Sequence, residues 1–100
     1  MKLTFEEAHK ILQAKKNCVL LDVREEPEYL SGHAVDAILL PVDEISVETA
    51  ENAIPNVDCP VLVYCRTGRR SARAVTALQR LGYREVYDLG GLVGWPYGLE

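Results

Sequence analysis

The segment Val61–Arg73 restricts the possible folds of this chain more than any other stretch. Val61–Cys65 is a short apolar run without charge, which is typical of a strand buried inside a domain. The alanine- and leucine-rich sequence after Ser71 has the pattern of an amphipathic helix. Cys65–Arg70 is therefore predicted to be a tight turn between a buried strand and a helix, with Cys65 beside the helix N-terminus.

Strands and helices are predicted to alternate along the rest of the chain. Thr4 and Glu7 are the ends of a capping-box pattern that starts the first helix. In chain order, the predicted elements are a helix from Thr4 to about Lys16, a strand at Cys18–Val23, a short helix within Arg24–Ser31, a buried strand at Ala37–Leu40, a weaker helix within Val42–Ala50 with Asp43 as N-cap, the strand and helix around Cys65 with the helix ending at Gly82, and a strand at Glu85–Leu89 closed by a turn at Gly90-Gly91. This alternation indicates βαβ crossovers. The predicted fold class is α/β, a three-layer domain with a mainly parallel central sheet flanked by helices.

Composition and charge fit one small domain over residues 1-100. Hydrophobic residues make up 48% and charged residues 26% of the 100 residues, which suffices for a single core. The net charge of −4 argues against a nucleic-acid partner, although arginines concentrated near Cys65 predict a local site for a small anion. No apolar run approaches the length of a membrane span and no signal-peptide pattern is present, so no membrane partner is expected.

The cysteines indicate neither a disulfide framework nor a metal site. Cys18, Cys59 and Cys65 are an odd number without CxxC or cysteine–histidine spacing. Cys18 and Cys59 have no cationic or turn environment and are interpreted as inert packing residues. A reducing cytoplasm is the expected location.

Cys65 has the sequence surroundings of a reactive thiolate. The first N–H groups of a helix lack intrahelical partners, and successive N–H groups in a turn can converge on an anion. Helix starts and nearby guanidinium groups both lower the pKa of a cysteine and make it a nucleophile. The eight residues after Cys65 contain four arginines, not all of which can point inward: Arg66, Arg69, Arg70 and Arg73. The alternative interpretation is a small buried hydrophobic residue at the end of a strand.

Three predicted strand ends are expected to meet beside this cysteine. In parallel α/β sheets, ligands bind outside the carboxyl ends of the strands. Asp22–Arg24 follows one predicted strand, Cys65 another and Gly90-Gly91 a third. We therefore expect these stretches to lie at one rim of the sheet.

Four stretches of the chain form a set that is found together in one known family. They are Leu21-Asp22-Val23-Arg24-Glu25, Glu28-Tyr29-Leu30-Ser31-Gly32-His33, Tyr64-Cys65-Arg66-Thr67-Gly68-Arg69-Arg70-Ser71, and Leu89-Gly90-Gly91 with Trp95 behind it. Together they resemble the single-domain rhodaneses, which are sulfurtransferases that carry sulfane sulfur as a cysteine persulfide. The Cys65 loop is fairly specific and the other three stretches are weak singly. Their joint order and spacing extend the resemblance over most of the chain.

The resemblance implies a rhodanese-like fold and an enzyme of the thiosulfate sulfurtransferase type that needs no cofactor and no metal. The catalytic nucleophile would be Cys65. It would take the outer sulfur of thiosulfate or a similar small anionic donor, release sulfite, and pass the sulfur to cyanide or a thiol acceptor, including a protein thiol. The substrate-binding loop would consist of Arg66, Thr67, Gly68, Arg69, Arg70 and Ser71.

Four further residues are candidates for supporting this site. Asp22 and Arg24 either position substrate or form a structural ion-pair network with neighbouring glutamates. His33 is either a general base or a partner of the backbone, and Trp95 is either a lid or core aromatic or a ligand-stacking residue. After His33 the family usually has Ile-Pro-Gly-Ala, whereas this chain has Ala-Val-Asp-Ala, so the shape of that loop is expected to differ.

Two other function classes remain open. Cysteine-based phosphatases and arsenate reductases also place a thiolate in a cationic loop. Cys65 and Arg70 are separated by one residue fewer than the corresponding pair of the related phosphatases, and Ser71 stands where those enzymes have their arginine. A non-catalytic binding or regulatory domain on the same fold is the third hypothesis. The intact cysteine loop favours an enzyme.

Overall fold

The computed structural model of the chain describes residues 2–14 and 17–100. Helices and strands alternate along this part of the chain. In order, they are α1 (Phe5–Ala14), β1 (Val19–Asp22), α2 (Glu26–Leu30), β2 (Ile38–Leu39), a 3-10 turn (Val42–Glu44), α3 (Val47–Ala53), β3 (Val61–Cys65), α4 (Arg69–Arg80) and β4 (Val86–Gly91). The predicted end of the first helix near Lys16 lies outside the described residues.

The four strands form one parallel sheet in the order β2-β1-β3-β4. β3 lies in the interior of the sheet, and all five of its residues are buried, as its uncharged sequence predicts. β2 lies at the edge and is only two residues long. The prediction of a buried strand at Ala37–Leu40 is wrong for Ile38, which is 41% exposed, because an edge strand has a neighbour on one side only.

Helices cover both faces of the sheet, which confirms the predicted three-layer α/β fold. On one face, Leu78 of α4, Ile54 after α3 and Val63 of β3 belong to one apolar cluster, and all three are fully buried. On the other face, Ala8 of α1 and Leu62 of β3 belong to a second cluster. Complete burial of a larger aliphatic side chain contributes about 1.5–3 kcal/mol. The two clusters therefore hold the central strands, and with them the strand ends, in fixed positions.

Capping residues explain where the helices begin and end. At α1, the Glu7 N–H donates to Thr4 Oγ1 at 3.1 Å and the Thr4 N–H donates to Glu7 Oε1 at 2.9 Å, which confirms the predicted capping box. α4 ends before Gly82, whose φ of 102° favours glycine, as predicted. The N-cap of α3 is Ser46, whose side chain accepts a backbone N–H of the first turn. The predicted N-cap, Asp43, lies instead within the 3-10 turn.

Two boundaries near Cys65 differ from the sequence-based prediction. α4 begins at Arg69, so residues 69–71 form its first turn rather than part of the preceding loop. β4 continues through Gly90 and Gly91 instead of closing before them. Gly90 has a φ of 74°, in the left-handed region that favours glycine. The loop itself is therefore only Arg66–Gly68.

Candidate active site

The carboxyl ends of β1, β3 and β4 lie side by side, because these strands are neighbours in the sheet. The Val23 N–H donates to the Tyr64 carbonyl at 3.1 Å, and the Leu92 N–H donates to the Cys65 carbonyl at 3.0 Å. Cys65 also pairs with Gly91 across β3 and β4. The three stretches predicted to share one rim of the sheet do so.

The Cys65 side chain lies at the end of β3 and has no exposed surface. The Gly68 N–H donates to Cys65 Sγ at 2.9 Å. Burial by itself raises the pKa of the Cys65 thiol. Hydrogen bonds at the start of α4, the backbone N–H groups of Ser71, Gly68 and Thr67 among them, outweigh burial and lower that pKa below its ordinary value. The start of α4 therefore favours the thiolate, as its sequence predicts.

The exposed arginines of the loop are free to meet an anion. Arg66 and Arg69 are both exposed. None of the ion pairs among the described residues involves either of them. The main causes of the lowered Cys65 pKa are hydrogen bonds rather than the guanidinium groups that the sequence suggested. We therefore assign these two arginines to the surroundings of the sulfur and not to its activation.

The other two arginines are paired with acidic residues. Arg70 donates Nη1 to Glu28 Oε1 at 2.6 Å and Nη2 to Glu28 Oε2 at 2.9 Å. These hydrogen bonds raise the pKa of Arg70 and lower the pKa of Glu28 to about 2. Arg73 forms an exposed pair with Asp43 at 2.9 Å. The acidic partners therefore neutralise two of the four arginines near Cys65.

Asp22 and Arg24 form a buried ion pair at the end of β1. Arg24 donates Nη2 to Asp22 Oδ2 at 2.7 Å and to the Gly32 carbonyl at 2.7 Å. The Tyr64 hydroxyl donates to Asp22 Oδ2 at 2.6 Å and accepts the Ala34 N–H at 3.1 Å. The hydrogen bonds that Arg24 donates to Asp22 raise the pKa of Arg24, and burial raises the pKa of Tyr64. This network supports the structural interpretation, with Asp22 rather than the neighbouring glutamates as the partner of Arg24.

His33 and Trp95 lie at the edges of the site. His33 Nδ1 is 2.9 Å from the Tyr29 carbonyl, and its ring stacks on the Tyr29 ring with centroids 3.7 Å apart. This contact supports the backbone role and not the general-base role. Trp95 packs edge-on against Phe5 and Tyr97, with ring centroids 5.2 and 5.1 Å apart. It is a packing aromatic beside the site, in agreement with the first of its two interpretations.

Sequence reasoning missed Asp88. The residue is 5% exposed, and its Oδ1 accepts hydrogen bonds from the Ser71 hydroxyl at 2.7 Å and the Gly90 N–H at 2.7 Å. Since the backbone N–H of Ser71 helps to lower the pKa of Cys65, Asp88 holds in place a residue that favours the thiolate. The sequence signal that could have identified Asp88 is a carboxylate between Tyr87 and Leu89 in an otherwise apolar strand.

Gly91 allows β4 to approach the loop closely. A Cβ added at Gly91 would lie 2.5 Å from the Arg66 carbonyl oxygen and 3.3 Å from Thr67 Cα. A Cβ added at Gly68 would lie 3.6 Å from Gly90 Cα. The glycine pair therefore permits backbone contact with the loop, a role that the predicted turn did not include.

An open cleft of about 350 Å³ lies beside the loop. Charged side chains of Arg24, Glu28 and Arg66 line it together with apolar surface from Leu92 and Trp95. A cleft of this size suits a small molecule. Within residues 2–14 and 17–100, no group of three or more His, Cys, Asp or Glu side chains could hold a metal ion. None of the helices described is long and apolar enough to cross a membrane.

A protein-family comparison agrees with this geometry. The model of the Rhodanese-like domain matches residues 4–96. The solved structure of a rhodanese with anions from E. coli is 33% identical to this chain and superimposes with a TM-score of 0.76. That match covers 82% of this chain and 95% of the E. coli chain.

Two further solved structures share the fold at lower sequence identity. The Alr3790 protein from Anabaena is 24% identical with a TM-score of 0.87, and the match covers 98% of this chain and 90% of that chain. The human single-domain sulfurtransferase TSTD1 is 21% identical with a TM-score of 0.76, over 90% of this chain and 88% of its own. At these identities the two structures show the fold alone. The family match over residues 4–96, together with the E. coli structure, establishes that this chain belongs to the rhodanese-like domain family.

Proposed function

We propose that this protein transfers sulfane sulfur through a persulfide on Cys65. The observation that carries the proposal is the Gly68 N–H placed 2.9 Å from Cys65 Sγ at the start of α4. A thiolate held by preorganised backbone donors is a nucleophile for covalent catalysis. The same donors can stabilise the terminal sulfur anion of a persulfide.

The proposed reaction has two half-reactions. In the first, the Cys65 thiolate attacks the outer sulfur of thiosulfate, the bond between the two sulfurs of thiosulfate breaks, and its electron pair leaves with sulfite. In the second, a thiolate or cyanide attacks the outer sulfur of the persulfide. The bond to Cys65 breaks and its electron pair restores the thiolate. The product is a new persulfide or thiocyanate, and neither half-reaction needs a cofactor.

Residues around the sulfur have separate proposed roles. The N–H groups of Thr67 and Gly68 stabilise the sulfur anions, and Arg66 and Arg69 attract the anionic donor from solution. Because Cys65 has no exposed surface, side chains bordering the cleft must move before a donor reaches the sulfur. Arg66 directly follows Cys65, is exposed and lines the cleft. A movement of its side chain is therefore the simplest way to open a path from the cleft to the sulfur.

The proposed partners follow from this charge distribution. The donor is a small anion of the thiosulfate type, and the acceptor is cyanide or a thiol, including one on a protein. Cys18, Cys59 and Cys65 are not joined in disulfide bonds, which suits a reducing compartment such as the cytoplasm.

Contacts of the loop disfavour the phosphatase alternative. A phosphatase of this type needs a guanidinium free to clamp two oxygens of its substrate. Arg70 already uses both terminal nitrogens on Glu28, and the Ser71 hydroxyl is bound to Asp88. The lowered pKa of Cys65 disfavours a binding domain without activity, because binding alone does not require a cysteine that ionises easily.

Intact-mass spectrometry after incubation with thiosulfate tests the proposal. We expect the parent protein to gain one sulfur atom that cyanide removes, and Cys65→Ser to gain none. Cys59→Ala is the matched control, because its cysteine lies outside the loop and should leave sulfur uptake intact. A parent protein that gains no sulfur is a binding domain, and one that instead hydrolyses an aryl phosphate belongs to the phosphatase class.

A further inference from the structure

Glu28 joins α2 to the first turn of α4 through a two-point ion pair. Both oxygens of its carboxylate accept hydrogen bonds from the terminal nitrogens of Arg70, at 2.6 and 2.9 Å. The two side chains are each 28% exposed, so solvent only partly screens the pair. One carboxylate oxygen also accepts the Glu25 N–H at 3.0 Å, which fixes its orientation. The Glu28 carboxylate is therefore a fixed negative charge beside the Cys65 loop.

This carboxylate also lines the cleft through which a donor would approach. Arg24 and Arg66 line the same cleft, and Asp22 neutralises Arg24. Glu28 in turn neutralises Arg70. Of the four arginines that follow Cys65, only Arg66 and Arg69 have no acidic partner among the described residues. The cleft therefore carries much less positive charge than the sequence of its loop implies.

We propose that Glu28 is a specificity-determining residue that withholds Arg70 from the donor and thereby favours singly charged sulfane-sulfur donors over the doubly charged thiosulfate. A guanidinium whose two terminal nitrogens face one carboxylate cannot present the same edge to a second anion. Without its carboxylate partner, the positive charge of Arg70 would attract a dianion about twice as strongly as a monoanion at the same distance. The inference rests on the proposed function and adds the charge class of the donor.

Two donors with the same outer sulfur allow the charge to be varied alone. Thiosulfate carries two negative charges, whereas methanethiosulfonate, in which a methyl group replaces one oxygen, carries one. We expect Glu28→Gln to lower the KM for thiosulfate about threefold to tenfold, because Arg70 becomes available and one negative charge disappears. The KM for methanethiosulfonate should fall by about half as much on a logarithmic scale, because it carries half the charge. Glu28→Asp keeps the charge and should show no such preference for thiosulfate.

Variants elsewhere separate this effect from a structural one. Asp43→Asn is the matched control, because it releases Arg73 of the same helix from an exposed ion pair away from the cleft lining. It should leave the ratio of the two KM values unchanged. In Glu28→Gln, the additional change Arg70→Gln should remove the gain in thiosulfate affinity. A purely structural ion pair would instead lower kcat or stability without a gain in thiosulfate affinity.

The outcomes distinguish this inference from the proposed function. If the parent protein gains sulfur from both donors but Glu28→Gln does not improve the KM for thiosulfate relative to methanethiosulfonate, the role of Glu28 is overturned and the sulfurtransferase function stands. If the parent gains sulfur from neither donor, both are overturned. Glu28→Ala removes the same charge and carries the same expectation if the glutamine variant does not fold.

Discussion

Replacing Gly91 with alanine tests whether the close approach of β4 controls the geometry of the Cys65 loop. The new Cβ would lie 2.5 Å from the Arg66 carbonyl oxygen and 3.2 Å from the carbonyl carbon. The shorter contact is about 1 Å inside the roughly 3.5 Å separation at which non-bonded heavy atoms attract. Both contacts are with backbone atoms, so no side-chain rotation relieves them. Overpacking of this kind costs about 1–3 kcal/mol of folding free energy.

The strain is expected to reach the sulfur, because Arg66 directly follows Cys65 and precedes the N–H groups that stabilise it. A displacement of the loop by about 1 Å can reduce a reaction rate on the order of 100-fold. We therefore expect Gly91→Ala to slow sulfur uptake from thiosulfate at least tenfold and to raise the pKa of Cys65 toward its ordinary value. Single-turnover mass spectrometry measures the first effect, and the pH dependence of alkylation measures the second.

Gly82→Ala is a control that loses stability without a contact near the site. Gly82 has a φ of 102°, and a Cβ added there meets no heavy atom within 4 Å. Alanine at this position destabilises the fold only through the left-handed backbone conformation, by about 1–2 kcal/mol. Urea unfolding measures this loss of stability. Sulfur uptake by Gly82→Ala should match the parent protein. If Gly91→Ala also matches the parent in uptake and in Cys65 pKa, the close approach does not position the loop and the reasoning is refuted.

Three further predictions concern the charges around the site. Because hydrogen bonds lower the pKa of Cys65, alkylation by iodoacetamide should persist below the pH at which free cysteine slows, and a pH profile equal to that of free cysteine contradicts this. Asp88→Asn should destabilise the fold by about 1–2 kcal/mol, since the Ser71 hydroxyl loses a charged acceptor; an unchanged urea midpoint argues against it. The pair with Arg70 lowers the Glu28 pKa from its ordinary value of 4.5 to about 2, so the pair is fully stabilising above about pH 4.5 and is progressively lost as pH falls toward 2. After allowance for 28% exposure, the pair should contribute about 1–2 kcal/mol at neutral pH, so the stability gap between the parent and Glu28→Gln should close on acidification; a gap that is constant with pH counts against the pairing.

Local signals in the sequence predicted the elements that carry the site. The uncharged run at β3, the capping box at Thr4 and the glycine that ends α4 each depend on residues close together in the chain. Local chemistry also placed Cys65 at a helix start, where N–H groups without partners lower its pKa. The meeting of three strand ends at one rim followed from βαβ alternation, because parallel strands place their carboxyl ends at the same edge of the sheet.

Local signals were insufficient where packing selects between alternatives. The Ala37–Leu40 run looks as apolar as a central strand, but β2 lies at the edge because the sheet grows on the other side of β1. Asp43 and Ser46 are both acceptable N-caps, and only the position of the 3-10 turn leaves Ser46 as the cap. A Gly-Gly pair such as Gly90-Gly91 is compatible both with a turn and with a strand that passes close to another backbone segment.

The sequence by itself determined the layered α/β fold, the strand, turn and helix around Cys65, and the direction in which the Cys65 pKa is shifted, because these depend on hydrogen bonds and apolar periodicity within short segments. Only the tertiary structure decided which charges remain free. Arg70 meets Glu28 across 42 positions of sequence, Arg73 meets Asp43 across 30, and Ser71 meets Asp88 across 17. Ion pairing between residues far apart in the chain leaves no repeating pattern in the sequence. The four neighbouring arginines therefore cannot be told apart from the sequence until folding brings carboxylates to two of them. The physical reason is that ion pairing depends on distances in space. Those distances are determined by the packing of α2, the 3-10 turn and β4 around α4.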